Sequence, residues 1–161
     1  GSKEYLSFVE HDGDYDYEKI ELPQAIKVFV AINNKDAQTS EMINRYQAAK
    51  KKYTDYFSQH AAKMKDELEL LHESILKKDN KSIFQCLGKY NELMIDMDNI
   101  FNLGVFKNHH ELIKLAEDED IFYKPSGSGG GDIGIFISDD REKLNRVSKR
   151  LEMKGITFFE V

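Results

Sequence analysis

The sequence predicts an α+β protein in which one β-sheet is combined with a long helical region. Three observations lead to this fold class. Apolar and β-branched residues run almost without interruption from Ala25 to Ile32, as in a buried central strand. Apolar residues then recur at helical spacing through most of the middle of the chain. After the acidic run Glu117–Asp120 the period changes, and short strand-like runs flank one further helical stretch.

The first residues predict a hairpin ahead of the central strand. Tyr5–Val9 and Tyr17–Leu22 both alternate between apolar and polar residues, and His11–Asp14 between them has the composition of a turn. Pro23 then separates this hairpin from the central strand. We therefore expect the hairpin to be an addition to the main sheet.

The helical region begins after Thr39 and Ser40, either of which can cap the first helix. Apolar positions continue at helical spacing to Ile75, and we expect a break at Ser58–His60, because an uninterrupted helix would be unusually long. Two more helices are expected, one starting at Asn80–Ser82 and ending at Gly104, and one from Asn108 to Ala116.

The last part of the chain predicts two short strands, a helix and a final strand. The strands are Ile121–Tyr123 and Ile133–Ile137; Ser138–Asp140 caps the helix, which ends at Lys154 before Gly155, and Ile156–Val161 is the last strand. Counted from Ala25, the order is βαββαβ, which is the ferredoxin-like split arrangement. Its first crossover is enlarged here into a helical bundle.

Length and composition indicate one globular domain of 161 residues. The net charge of −6 argues against general binding to nucleic acid or to an anionic membrane. Because Cys86 is the only cysteine, a disulfide framework and a cysteine-rich zinc site are both excluded. Without an apolar stretch of membrane-spanning length or a visible secretory signal, we expect the protein in the cytoplasm. Gly1–Ser2 is interpreted as the remnant of a cleaved expression tag.

A glycine-rich loop is the principal candidate for a functional site. Four of the ten glycines, Gly127, Gly129, Gly130 and Gly131, fall within five positions directly before a strand. Consecutive exposed backbone N–H groups in such a loop can bind an anion, and Lys124, Ser126 and Ser128 add donors. The alternative is a flexible turn or linker, but a linker would not run directly into strands on both sides.

The other motifs in the sequence do not predict a functional site. The loop lacks the Lys-Ser or Lys-Thr of a Walker A motif, and Asp132 stands where a dinucleotide fingerprint has its third glycine. His109 and His110 are adjacent, so they point to different sides of a helix and no metal site is predicted there. No set of residues forms a complete catalytic group. On its own residues the chain resembles a ligand-contacting module more than a whole active site.

The run Lys124–Gly134 resembles the third signature motif of the GHMP small-molecule kinases, in the form usual among phosphomevalonate kinases. Asp132 is the discriminating residue, because mevalonate kinases and galactokinases tend to carry cysteine near this position. Ala37–Glu41 and Leu103–Val105 agree with the family pattern. The chain departs from it at Gln38 and at Phe122–Tyr123, where the family has serine and small residues respectively.

The resemblance implies that residues 3–161 are the C-terminal domain of a larger kinase whose N-terminal ATP-binding domain is absent here. Such an enzyme transfers the γ-phosphoryl group of ATP, with Mg²⁺, to phosphomevalonate. This chain alone is then expected to be inactive. Two alternatives stay open: another GHMP kinase such as mevalonate kinase, or a non-enzymatic ligand-binding or regulatory module.

The resemblance also implies roles for single residues. The loop amides bind an anionic substrate group or support the ATP-binding loop of the other domain, and Ser126 and Ser128 donate hydrogen bonds. Thr39 and Ser40 begin a helix whose N-terminus faces the cleft. Lys124 assists electrostatically, although a purely structural lysine is the other interpretation. The implied site is therefore Thr39, Ser40, Lys124, Ser126, Gly127, Ser128, Gly129, Gly130, Gly131 and Asp132.

Overall fold

The computed structural model describes residues 4–11, 14–33, 39–126, 130–131 and 133–161. These residues form six strands and five helices. The strands are β1 (Glu4–His11), β2 (Asp14–Glu21), β3 (Lys27–Ile32), β4 (Phe122–Ser126), β5 (Ile133–Ser138) and β6 (Thr157–Glu160). The helices are α1 (Thr39–Lys52), α2 (Thr54–Leu76), α3 (Asn80–Phe101), α4 (His110–Asp118) and α5 (Arg141–Met153).

The sheet topology confirms the predicted fold class. Strands β4, β5, β3 and β6 lie in that order in one four-stranded sheet, and every neighbouring pair is antiparallel. This is the strand order of the ferredoxin-like βαββαβ arrangement, with α1 to α4 in the first crossover. Strands β1 and β2 pair separately as the expected hairpin, and Asp12 and Gly13 of its turn lie outside the described residues.

Helices cover both faces of the sheet, because β3 and β5 carry apolar residues on both sides. The core between the sheet and helices α4 and α5 consists of Phe29, Ala31, Leu112, Leu115, Ala116, Tyr123, Phe136, Leu144, Val147 and Leu151. On the opposite face Ile26 packs with Ile75 of α2 and Ile83 of α3. Each fully buried large apolar side chain contributes about 1.5–3 kcal/mol. The sheet is thereby fixed between two helical layers.

The predicted break at Ser58–His60 is wrong, since these residues lie inside α2. The break is at Tyr53, whose backbone leaves helical geometry at φ −125° and ψ 49°. His60 is buried, and its Nε2 lies 2.8 Å from the carbonyl oxygen of Leu93 in α3. Within a run that looks polar in the sequence, His60 therefore packs α2 against α3, while Ser58 and Gln59 are exposed.

Several predicted helix ends are confirmed. Asp140 caps α5 by accepting hydrogen bonds from the amides of Glu142 and Lys143 at 2.9 and 3.1 Å. Gly155 follows α5 with φ +67°, a conformation that favours glycine. By contrast α4 begins at His110, because Asn108 has a φ of 68° and cannot continue a helix. None of the helices described is long and apolar enough to cross a membrane.

Candidate glycine-loop site

The glycine-rich loop connects β4 to β5, two antiparallel neighbours in the sheet. Gly130 and Gly131 are described, and both have positive φ, 81° and 135°. Side chains rarely tolerate these conformations, so glycine is required here for the path of the backbone. Gly127, Ser128, Gly129 and Asp132 of the predicted site lie outside the described residues.

A tight turn at residues 104–108 lies against the loop, and the carboxylate of Asp98 fixes its shape. Asp98 accepts hydrogen bonds from the amide of Gly104 at 2.5 Å and from those of Val105 and Phe106, each at 3.0 Å. Charged acceptors form stronger hydrogen bonds than neutral ones. The end of α3 is thus joined firmly to the turn that follows it.

The turn forms hydrogen bonds with both backbone polar groups of Gly130, its N–H and its carbonyl oxygen. The amide of Gly130 donates to the carbonyl oxygen of Val105 at 2.8 Å. The side-chain amide of Asn108 donates to the carbonyl oxygen of Gly130 at 3.0 Å. Because both groups form hydrogen bonds within the protein, Gly130 fixes the position of the loop, and its N–H is not available to bind a ligand.

Helix α1 approaches the same place with its N-terminus. Thr39 and Ser40 are its first two residues. A small cavity of about 20 Å³ lies between α1, the turn and the loop. Its lining is Glu41, Met42, Arg45, Leu103, Gly104, Lys107, Asn108 and Gly130. The first turn of α1 and Gly130 of the loop therefore lie at one cavity, although neither Thr39 nor Ser40 lines it.

Arg45 on α1 connects this helix to the end of α3. Arg45 pairs with Glu41 one helical turn earlier, and its other terminal nitrogen donates to the carbonyl oxygen of Asn102 at 3.0 Å. The hydrogen bond and charge of Arg45 lower the pKa of Glu41. Arg45 thus helps to fix the position of α1, and its guanidinium group already has two partners within the protein.

Lys124 is a half-buried cation on β4, two residues before Ser126. Its side chain makes no hydrogen bond or ion pair with the residues that the structure describes. Burial lowers the pKa of its ammonium group, because a low dielectric disfavours the charged form. Among the described residues the ammonium group of Lys124 therefore has no ion-pair partner, and it lies close to the start of the loop.

His109 and Tyr123 form a buried pair that joins the start of α4 to β4. His109 is fully buried, and its Nδ1 lies 2.6 Å from the hydroxyl oxygen of Tyr123 on β4. Burial raises the pKa of Tyr123 strongly, so the phenol stays neutral. His110 is exposed, and no three His, Cys, Asp or Glu side chains in the described ranges are grouped to hold a metal ion.

The sequence did not reveal Asp98 and Asn108 as residues that shape the site. Asp98 accepts hydrogen bonds from amides six to eight residues later, and this spacing does not belong to any short helical motif. Asn108 offers one weak signal, because asparagine just before a helix often has positive φ. Its contact with Gly130 joins residues 22 positions apart and can be seen only in the folded chain.

Comparison of the sequence with protein-family models and with curated proteins finds no match. Solved structures match well. A Lin0012 protein from Listeria innocua has a TM-score of 0.81 at 19% identity, over 90% of this chain and 41% of that one. The mevalonate kinase of L. major in complex with R-mevalonate has a TM-score of 0.77 at 16% identity, over 97% and 48%. A Streptococcus pneumoniae phosphomevalonate kinase in complex with phosphomevalonate and AMPPNP has a TM-score of 0.70 at 20% identity, over 94% of this chain and 44% of that one.

The chain therefore has an α+β fold that occurs as part of small-molecule kinases. More particularly, it has the fold of a GHMP-kinase domain, which confirms at the level of fold the resemblance seen in the sequence. The chain spans 41–48% of the length of these solved proteins. At 16–21% identity the likeness does not distinguish the mevalonate kinase from the phosphomevalonate kinases.

Proposed function

We propose that this chain is the substrate-side domain of an ATP-dependent small-molecule kinase whose acceptor is phosphomevalonate. One observation carries the proposal. The glycine-rich loop is fixed through Gly130 beside the N-terminus of α1, in a fold that mevalonate and phosphomevalonate kinases share. The choice of acceptor rests on the loop motif, with Asp132 after three glycines.

Each part of the loop has a role that follows from its chemistry. Phosphoryl transfer depends mainly on positioning and on stabilising negative charge. In the proposal the amides of Gly127, Gly129 and Gly131 bind an anionic group of the acceptor, and Ser126 and Ser128 donate to it.

Two further elements complete the proposed anion site. The N-terminus of α1, with Thr39 and Ser40, carries partial positive charge and favours an anion in front of it. Lys124 supplies a full positive charge at the start of the loop. Gly130 contributes position alone, because its amide already donates to Val105.

The proposed kinase needs a second domain in the same chain, lying before this one, to bind ATP. AMPPNP in the S. pneumoniae phosphomevalonate kinase supports ATP as the phosphoryl donor. Mg²⁺ neutralises phosphate charge in such reactions. No three or more His, Cys, Asp or Glu side chains of the described residues are grouped to hold a metal ion, and the proposal names no Mg²⁺ ligand.

The test uses the full-length protein and measures ADP release with phosphomevalonate, mevalonate and galactose. We expect the fastest release with phosphomevalonate. In the same assay Ser126→Ala should raise the KM for the acceptor about tenfold, as expected for one lost hydrogen bond to a charged group. Ser148→Ala on α5 is the matched control, because among the described residues its hydroxyl donates only to the carbonyl oxygen of Asn145 on the same helix. Faster release with mevalonate or galactose would refute phosphomevalonate as the acceptor.

Calorimetry on the 161-residue chain separates this proposal from a non-enzymatic ligand-binding module. Half of a two-domain site should bind phosphomevalonate weakly, because the other domain supplies the remaining contacts. Binding of phosphomevalonate or another small anion by this chain alone with a Kd near or below about 1 µM, which is about 8 kcal/mol, would favour the module.

A further inference from the structure

Among the described residues, three hydrogen bonds hold Gly130 of the loop and the strand that leads into it, and the consecutive residues Asn108 and His109 supply two of them. Asn108 donates to the carbonyl oxygen of Gly130 within the loop. His109 bonds Tyr123 on β4, the strand that enters the loop. The third connection is the hydrogen bond from the amide of Gly130 to Val105 in the same turn.

The backbone of Asn108 is itself fixed, so its side chain has a defined direction. Its φ of 68° lies in the left-handed region, which asparagine tolerates better than most residues. Its carbonyl oxygen accepts a hydrogen bond of 2.9 Å from the side-chain amide of Asn33, just after β3. A side chain on a backbone held in this way loses little freedom when it bonds the loop.

We propose that Asn108 is a positioning residue for the glycine-rich loop: its side-chain amide fixes Gly130 so that the loop keeps the shape that binds the acceptor. The anion-binding part of this inference rests on the proposed function. The positioning part rests only on the hydrogen bonds at Gly130. Asn108 does not touch the substrate in this proposal.

Two substitutions isolate the side-chain hydrogen bond. Asn108→Gly removes the donor and suits a φ of 68°. Asn108→Asp keeps the shape of the side chain but places a carboxylate oxygen opposite the carbonyl of Gly130. The matched control is Asn102→Gly, because Asn102 also has positive φ, at 48°, and its side chain bonds nothing among the described residues.

The first readout is amide hydrogen exchange at Gly130 in the 161-residue chain without ligand. Loss of one hydrogen bond should speed exchange at Gly130 about tenfold in Asn108→Gly and also in Asn108→Asp. Asn102→Gly should leave it within about twofold of wild type. Unchanged exchange at Gly130 in Asn108→Gly would overturn the proposal, and this readout is independent of kinase activity.

The second readout is the kinetics of the full-length protein. Asn108→Gly should raise the KM for the phosphorylated acceptor about tenfold while the KM for ATP stays within about twofold. Faster exchange at Gly130 with an unchanged acceptor KM would overturn the link between loop position and binding. If the wild-type protein phosphorylates none of the acceptors, the proposed function fails, and the exchange data still decide whether Asn108 positions the loop.

Discussion

The phenol ring of Tyr123 lies directly on the backbone of Gly134. A Cβ atom built on Gly134 would lie 2.0 Å from the Tyr123 hydroxyl oxygen and 2.5 Å from a ring carbon. Tyr123 stands on β4, which enters the loop, and Gly134 on β5, which leaves it. The hydroxyl group is fixed in turn by His109. The two flanking strands are therefore packed against each other through a contact that admits no side chain at Gly134.

Gly134→Ala should destabilise the fold, because the buried tyrosine cannot move away from the added methyl group. We expect a loss of about 1–3 kcal/mol or more in the free energy of unfolding, the range for overpacked cores. The matched control is Gly88→Ala on α3, where an added Cβ meets nothing within 4 Å. That substitution should stabilise the protein by about 0.5–1 kcal/mol, since alanine favours helix over glycine. Urea unfolding measures both, and equal effects would contradict the packing argument.

Tyr123 should also make the fold sensitive to alkaline pH. Burial raises its pKa in the folded state, while the unfolded chain releases the proton near the ordinary value of 10.0. Above that pH the unfolded state binds fewer protons, so this group's contribution to stability falls as pH rises. The slope for one proton is about 1.4 kcal/mol per pH unit.

Comparison of wild type with Tyr123→Phe between pH 7 and 11 tests this expectation. At pH 7 the variant should be less stable by about 1–3 kcal/mol, because it lacks the hydrogen bond with His109. Above about pH 10 its stability should fall less steeply than that of wild type. The rest of the chain is identical in both proteins, so the difference between their curves isolates Tyr123. Parallel curves of stability against pH for the two proteins would show that Tyr123 ionises equally in the folded and unfolded states.

The sequence predicts the elements and the glycine-rich loop well, because these depend on local periodicity and composition. Gly155 and Asp140 at the ends of α5 are examples, since each acts on its immediate neighbours. The break at Tyr53 and the contacts of Asn108 could not be predicted, because they depend on residues distant in sequence. Asn33 and Asn108, for instance, are 75 positions apart, and no periodic pattern encodes their hydrogen bond.

Asp98→Asn should loosen the turn that contacts the loop. The carboxylate accepts three amide hydrogen bonds, whereas an asparagine side chain would direct an NH₂ group at some of the same donors. We expect a loss of about 1–3 kcal/mol in the free energy of unfolding. Asp96→Asn, on an exposed position of the same helix, is the control and should change stability by less than about 0.5 kcal/mol. Similar losses in both variants would mean that these hydrogen bonds add nothing particular.

Lys124→Met distinguishes a lysine kept for function from one kept for structure. Burial lowers the pKa of Lys124 in the folded state, so the unfolded state binds the proton more tightly. Its contribution to stability therefore decreases as pH falls from the ordinary value of 10.5 through the lowered pKa of the folded state. Since Lys124 has no partner among the described residues, methionine should fit the same half-buried position without that cost.

We therefore expect Lys124→Met to melt about 2–4 °C higher than wild type at pH 7, the shift that about 1 kcal/mol produces in a chain of this size. In the full-length protein it should lower kcat/KM for the acceptor at least about tenfold, because the positive charge at the loop is lost. Lys114→Met on an exposed position of α4 is the control, which should alter neither quantity. A lower melting temperature with unchanged kinetics would assign Lys124 a structural role. A higher melting temperature with a lower kcat/KM would show that the lysine costs stability and serves the ligand.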